Sequence, residues 1–245
     1  AFLIFGSSMS ATPLSRLPQF DPRLVPVSGV DAHLPPVDAG AMTPAALAHR
    51  FQSPPPWQPE VVKEVRFTDR APAQAAVLIP IVMHGTDPDS LAVLLTERTA
   101  HLSTHSGQIA FPGGRVDECD ADAPAAALRE AFEEVGLEYR FVEVLGTLPV
   151  YITGTAFRVT PVVALVQPGF TLRPNAFEVA DVFEVPLAFL MNPANHRRHA
   201  FDWEGTRREW FSMPYQETLD AQVRERFIWG ATAGMLRNFY RFLAA

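Results

Sequence analysis

The 245 residues include only one cysteine, Cys119, so no disulfide can form within the chain. A chain without such disulfides is typical of a reducing compartment, and we expect it in the cytoplasm. Long hydrophobic runs are also lacking, since no segment approaches the roughly 20 apolar residues of a membrane span. The apolar residues 1–5, AFLIF, are too few, and no basic segment precedes them as a signal peptide requires. We therefore expect no membrane partner.

Positive charge is scarce as well. The 20 Lys and Arg are outnumbered by 27 Asp and Glu, which gives a formal net charge of −7. General nucleic-acid binding needs a basic face, so this balance argues against a nucleic-acid partner. A local basic patch for a phosphorylated small molecule is still compatible with it. The hydrophobic content of 48% is that of a globular protein with a full core.

The prolines are unevenly distributed, with 11 of the 23 in residues 1–60. Their density predicts a mostly extended or irregular N-terminal extension. One short helix is expected within it, with Thr43 as the N-cap and Pro44 at its first position. Residues 61–245 are expected to form the main domain.

Periodicity predicts the elements of that domain. Apolar runs rich in β-branched residues indicate four strands, at 73–85, 91–99, 141–150 and 157–167, and alternation around Glu204-Gly205 indicates a hairpin. Helical spacing is found at 124–135 and 222–242. We interpret the second helix as core-packing, and a homodimer contact is the alternative. Strands around a few helices, without strict βαβ alternation, predict an α/β fold with a mixed sheet between helices.

The segment 129–137, REAFEEVGL, is unusually acidic, with three carboxylates within five residues. At ~100° per residue, Glu133 and Glu134 lie at about −60° and +40° from Glu130, so one helical stripe carries all three. The opposite side is expected to face the core. It carries Ala125, Leu128, Phe132 and Val135.

A solvated surface is the simplest interpretation of such a stripe, but three observations favour a bound cation. No lysine stands at i+4, and Arg129 alone cannot pair with all three acids. The run 111–114, Phe-Pro-Gly-Gly, lies one short loop upstream, where a backbone carbonyl can join carboxylates around a hard cation. Mg²⁺ prefers such oxygen ligands and is commonly shared with substrate phosphates.

Residues 114–137, GRVDECDADAPAAALREAFEEVGL, resemble the Nudix box, in which a glycine, a spacer and an acid precede Arg-Glu-apolar-x-Glu-Glu-x-Gly-apolar. The second half matches throughout. The first half departs from the pattern, because Asp120 replaces a Glu and lies nine rather than eight residues before Arg129. We assign Asp120 no role. The resemblance implies a Nudix α/β/α sandwich and hydrolysis of a diphosphate linked to another group, with Mg²⁺ or Mn²⁺ as cofactor.

The segment before the box is similar to the signature of coenzyme A pyrophosphatases, a Nudix subgroup. It contains Leu-Leu-Thr-Glu-Arg at 94–98, then Gly107 and the glycines at 113–114. Thr99 replaces a small residue of that signature, and Ser103 stands where an Arg is expected. This similarity implies cleavage of coenzyme A or its acyl derivatives to 3′,5′-ADP and (acyl-)4′-phosphopantetheine. ADP-ribose or a dinucleotide is the alternative substrate, and a nucleotide-binding regulatory domain without catalysis is a third possibility.

The resemblance also implies roles for individual residues. The metal ligands would be Glu130, Glu133, Glu134 and the carbonyl of Gly113. Glu130 and Glu133 would act in catalysis, with Glu130 also a candidate base and Arg129 orienting the carboxylates. Glu178, on a later loop, is a candidate for an extra base or ligand, with an ordinary surface acid as the alternative. Substrate contacts are expected from Arg98, His105, Gly114 and Arg115.

Overall fold

The structure is a computed structural model that describes residues 20–66, 68–99, 107–203 and 205–245. In these ranges the helices are α1 (Pro44–Gln52), α2 (Ala123–Val135), α3 (Leu187–Leu190) and α4 (Gly230–Leu243). The strands are β1 (Val27–Val30), β2 (Ala73–Met83), β3 (Leu91–Arg98), β4 (Ile109–Ala110), β5 (Gly113–Arg115), β6 (Val142–Thr147), β7 (Tyr151–Ile152), β8 (Phe157–Val166), β9 (Val179–Pro186), β10 (Arg197–Trp203), β11 (Thr206–Leu219) and β12 (Gln222–Trp229).

The larger sheet is mixed and carries the acidic helix. Its central strand β2 pairs antiparallel with β3 and β5 and parallel with β8, and β9 pairs with the other edge of β3. Alternate residues of β2 serve two different cores, as the period of a strand requires. Leu78 and Val82 pack on the side of α2, whereas Ile79 and Ile81 pack on the side of α4. The predicted α/β fold with a mixed sheet between helices is confirmed.

A second, antiparallel sheet has the order β1-β10-β11-β12. Its hairpin pairs Trp203 with Thr206, as the alternation predicted. The helix predicted at 222–242 is wrong in its first third, because 222–229 form β12 along the long strand β11. The helix itself begins at Gly230, and most of its residues are buried in the chain's own core. The periodicity misled there because Phe227 and Ile228 are both buried, one on each face of a strand.

The part of the chain before residue 60 packs into the same body. Thr43 caps α1 as predicted, since its hydroxyl accepts a hydrogen bond from the Ala46 amide at 3.2 Å. Met42 and Leu47 are buried in the core that contains α4. The strand β1, which pairs with β10, was not predicted from the sequence. The domain boundary at residue 61 stays a prediction. None of the helices in the described ranges has the length and apolarity to cross a bilayer.

Glu60 ties this early segment to the second sheet and to α4. Its carboxylate accepts hydrogen bonds from Arg198, Arg237 and Arg241, each at 2.7 Å. Arg237 is completely buried and also pairs with Asp31 at 2.8 Å. Burial alone would raise the pKa of Glu60, but the three guanidinium groups outweigh it and lower the pKa to about 2.

We expect Glu60→Gln to lower the free energy of unfolding by about 2 to 4 kcal/mol at pH 7, because it removes charge from a buried pair. The pKa of Glu60 in the folded protein lies below its ordinary value of 4.5, so this stabilisation is present above pH 4.5 and is lost as pH falls toward 2. Urea unfolding of both proteins at pH 7 and pH 3 measures the difference. Glu143→Gln, at an exposed carboxyl on β6, is the control and should change little. A difference of equal size at both pH values would contradict the prediction.

Candidate active site

Local capping sets the limits of α2. Asp122 is its N-cap and accepts a hydrogen bond from the Ala125 amide at 2.8 Å. Gly136 ends it with a φ of 71°, in the left-handed region that glycine adopts without strain. The loop that follows β8 then uses the free carbonyls at this end. The Arg173 amide donates to Val135 and the Asn175 amide donates to Glu134, both at 2.8 Å.

The face that α2 buries agrees with the prediction at Val135 and differs from it at Phe132. Phe132 is 48% exposed and packs its ring against Tyr139, 5.7 Å between centroids. Apart from Val135, the completely buried side chains of α2 are alanines, including Ala127 and Ala131. Alanines let the helix axis approach β2 and β5 closely, whereas a Phe would hold it away. Glu130 and Glu134 are on the same side of the helix as these alanines and therefore lie near the sheet, and Glu134 is buried.

Glu134 is the most enclosed of the three acids, with 5% exposure. One carboxylate oxygen accepts a hydrogen bond from the Gly113 amide at 3.1 Å, and the other lies 3.6 Å from a guanidinium nitrogen of Arg98. Burial raises the pKa of Glu134 to about 7, although the Gly113 amide and Arg98 oppose it and the carboxylates of Glu130 and Glu178 add to it. The site thus holds a buried acid with too little positive charge around it.

Glu130 lies directly against the glycine loop. A Cβ atom on Gly114 would come within 2.5 Å of the Glu130 carboxylate, so only glycine leaves room for this side chain. Arg129 pairs with Glu130 at 3.0 Å. Burial raises the pKa of Glu130 despite this pairing. The glycine loop and the acidic helix are therefore in close contact at Gly114 and Glu130.

Arg129 is held by Asp120, the residue to which the sequence analysis gave no role. The Arg129 Nε and Nη2 atoms donate to the two carboxylate oxygens of Asp120 at 2.9 and 3.0 Å, a bidentate pair. Hydrogen bonds from Arg129 lower the pKa of Asp120. Arg129 also donates to the Arg115 carbonyl at 3.1 Å. The spacer before Arg129 is one residue longer than the pattern, but Asp120 still reaches Arg129. The spacing alone did not predict this contact.

Glu133 is the outlying acid, with 56% of its side chain exposed and Arg129 as its partner at 3.2 Å. Besides Glu130, the acid that affects Glu134 is Glu178, whose charge raises the pKa of Glu134. Glu178 is fixed in place by its neighbours. Its carbonyl accepts from the Thr99 amide at 3.0 Å, and Asn175 donates to its carboxylate at 3.4 Å.

The residues predicted to contact the substrate have different surroundings in the structure. Arg98 points to Glu134, and its buried Nε has no hydrogen-bond partner within the described ranges. Arg115 is exposed at the end of β5, with its guanidinium 5.5 Å from the Phe157 ring. His105 and Ser103 lie outside the described residues.

These residues fit a hard divalent cation. No group of three or more His, Cys, Asp and Glu side chains in the described part of the chain is already gathered as a metal site. The buried Glu134 nevertheless lacks full charge compensation, and the residues that raise its pKa, Glu130 and Glu178, supply only oxygen donors. Oxygen donors with excess negative charge are what Mg²⁺ and Mn²⁺ prefer.

Comparisons with known proteins decide the family. A NUDIX domain model matches residues 72–208. The Escherichia coli K12 protein described as uncharacterized Nudix hydrolase NudL is 43% identical over 166 residues, which cover 67% of this chain and 80% of NudL. The chain belongs to the Nudix family. This Nudix hydrolase is therefore an enzyme that acts on phosphoric anhydride bonds, and members of the family generally use a divalent metal such as Mg²⁺ or Mn²⁺.

Solved Nudix structures also resemble this Nudix hydrolase. RenU, a Nudix hydrolase from M. smegmatis, is 31% identical, with a TM-score of 0.40 over 48% of this chain and 73% of RenU. An Ap4A hydrolase from C. elegans is 21% identical, with a TM-score of 0.39 over 50% of this chain and 85% of that protein.

Proposed function

We propose that this Nudix hydrolase cleaves the diphosphate of coenzyme A or its acyl derivatives, giving 3′,5′-ADP and (acyl-)4′-phosphopantetheine. The observation that supports this most is the position of Arg98, which belongs to the coenzyme A-type signature and not to the Nudix box. Its guanidinium lies 3.6 Å from the Glu134 carboxylate and keeps a buried Nε without a described partner. A buried unpaired donor beside a cation site suits a phosphate oxygen.

The proposed metal ligands are the carboxylates of Glu130 and Glu134 and the carbonyl of Gly113, with Glu178 as a further ligand. Glu133, predicted as a ligand from the sequence, is proposed to act from the solvent side through Arg129. A divalent cation held there supplies charge neutralisation on the diphosphate oxygens and makes a nearby water more acidic.

The remaining steps fall to side chains of the chain itself. Glu130 is proposed as the general base that takes the proton from the attacking water, because burial raises its pKa toward the working range. Arg129 keeps the Glu130 carboxylate oriented at 3.0 Å. Arg98 binds the diphosphate and stabilises charge that develops on it. Arg115, exposed at the edge of the site, contacts an outer phosphate oxygen, and Gly114 leaves space for close approach.

Asp120 is proposed as a positioning residue. We expect Asp120→Asn to lower kcat roughly 10- to 100-fold, because it breaks the bidentate pair that holds Arg129. The Mg²⁺ concentration for half-maximal activity should rise as well, whereas a purely structural role would leave that midpoint unchanged. Asp122→Asn is the matched control, since Asn caps a helix as well as Asp does. Equal metal midpoints in Asp120→Asn and the wild type would contradict the proposed role.

A panel of substrates tests the proposed function. Coenzyme A, acetyl-coenzyme A, ADP-ribose, diadenosine polyphosphates and NADH are incubated with the protein and Mg²⁺ or Mn²⁺, and kcat/KM is compared. Highest kcat/KM for coenzyme A or its acyl form, with 3′,5′-ADP as a product, is the expected result. Preference for ADP-ribose or a dinucleotide would favour the alternative substrate class, and no hydrolysis of any compound would contradict the proposal.

A further inference from the structure

One exposed aromatic side chain belongs to the loop between β8 and β9, which contacts the end of α2. Phe177 is 80% exposed, although it is the immediate neighbour of Glu178. A single exposed apolar side chain is ordinary on a protein surface and needs no explanation by itself. Phe177 differs from such a residue in how its backbone is held.

The backbone of Phe177 is fixed on both sides while its ring is left unpacked. Its amide donates to the Asn175 side chain at 3.2 Å, and its carbonyl accepts from the Thr99 hydroxyl at 3.0 Å. Thr99 is itself 94% buried, as its 6% exposure shows. The Asn175 amide in turn donates to the carbonyl of Glu134. The position of Phe177 is therefore set relative to Glu134, the central acid of the site.

Phe177 is close in the chain to a residue that contacts Glu134. Phe177 follows Asn175 by two residues, and the Asn175 amide donates to the Glu134 carbonyl at 2.8 Å, so the Cα atoms of Phe177 and Asn175 are at most about 7 Å apart. A nucleoside attached to a diphosphate in the site would extend over its border. An exposed ring on a fixed backbone segment that contacts the end of α2 offers a flat apolar surface of the kind on which a base stacks.

We propose that Phe177 is a specificity-determining residue whose ring stacks on the nucleobase of the substrate. The inference rests on the proposed function for the position of the diphosphate, but it holds for any nucleoside diphosphate derivative. Every base has a flat π-face, so stacking distinguishes nucleotides from base-free diphosphates and does not distinguish one base from another.

Equilibrium binding to the whole protein tests the role of Phe177 apart from turnover. Fluorescent 1,N6-etheno-ADP and inorganic pyrophosphate are each titrated in the presence of Mg²⁺. We expect Phe177→Ala to weaken etheno-ADP binding roughly 5- to 100-fold and to leave pyrophosphate binding unchanged. Phe177→Trp should restore tight etheno-ADP binding. Leu24→Ala, which removes a 78% exposed apolar side chain elsewhere, is the control and should change neither Kd.

Three outcomes would overturn the inference. They are unchanged etheno-ADP binding in Phe177→Ala, equal weakening of both ligands, and a change in sedimentation that reveals Phe177 as a contact between copies of the chain. The substrate panel on the wild type decides the proposed function separately. If the wild type spares coenzyme A but Phe177→Ala still loses only etheno-ADP, the substrate proposal fails and stacking stands. If coenzyme A is cleaved and etheno-ADP binding is unchanged in Phe177→Ala, the substrate proposal stands and the stacking proposal fails.

Discussion

Replacing Glu134 by Gln is expected to reduce metal-dependent turnover by about 10³-fold or more. The amide keeps the shape of the side chain and can still accept the Gly113 hydrogen bond, but it carries no charge for a cation. Charge stabilisation at the diphosphate is the largest contribution that such a site makes to the rate. Glu130→Gln should have a comparable effect, because it removes the proposed base and a ligand together.

The folded protein should tolerate Glu134→Gln well. Burial raises the pKa of Glu134 from its ordinary value of 4.5 to about 7, so between these pH values the metal-free folded state holds a proton that the unfolded state lacks. Wild-type stability should therefore fall as pH rises from 4.5 through 7, by on the order of 2 kcal/mol, and the Gln variant should not show this loss. Added Mg²⁺ should stabilise only the wild type at pH 8.

Activity assays and urea unfolding, each with and without Mg²⁺, measure both effects. Glu133→Gln is the matched control, since its exposed side chain is proposed to act indirectly and should lose less activity than Glu134→Gln. Near-normal turnover in both Glu130→Gln and Glu134→Gln would contradict the proposed metal site.

Gly114→Ala should reduce turnover by about 10²-fold while the protein stays folded. The new Cβ would lie 2.5 Å from the Glu130 carboxylate, so this side chain has to move away from its position. The obstacle is the end of a flexible side chain, and the expected loss of stability is therefore below about 1 kcal/mol. Loss of carboxylate placement by an ångström is enough to explain the fall in rate.

Gly113→Ala provides the contrast at the neighbouring position. There a Cβ would lie 2.4 Å from the Ala76 carbonyl oxygen and 2.6 Å from the Val77 Cα, which are backbone atoms of the central strand. We expect a loss of stability of about 3 kcal/mol, because the sheet itself must shift. Urea unfolding measures the stability of the two variants, and kcat measures their activity. A stable Gly113→Ala or a fully active Gly114→Ala would contradict this division between packing and chemistry.

Local periodicity and motif spacing predicted much of this fold and site. The apolar runs of β2, β3 and β8 are long enough to identify them without knowledge of their partners, and Gly136 marks the end of α2 from its residue type alone. The strand at 222–229 was mistaken for helix because its assignment depends on β11, a partner that only the folded chain supplies. The strand β9 was missed for a related reason, since its Asp181 and Glu184 resemble surface acids until their partners Arg226 and His84 are known.

The helical wheel placed the acids on one stripe and Val135 correctly in the core, but it assigned Phe132 to the core as well. The prediction assumed that large apolar residues mark the core, whereas close packing on a glycine-containing sheet selects alanine and leaves Phe132 at the surface. The burial of Glu134 depends on the Gly113 amide, a contact between two segments that no spacing within α2 encodes. Asp120 was passed over because its position was compared with a pattern and not with the geometry of Arg129.

The loop after β8 is joined to α2 through the helix's own terminal carbonyls. The Arg173 and Asn175 amides occupy the acceptors of Val135 and Glu134. An exchange of this loop between related enzymes, in evolution or by grafting, would therefore remove the donors that complete the helix as well as change the surface that faces the ligand. The loop is not a modular part. New substrate ranges in this enzyme should arise more readily from single replacements at its tip than from changes in its length.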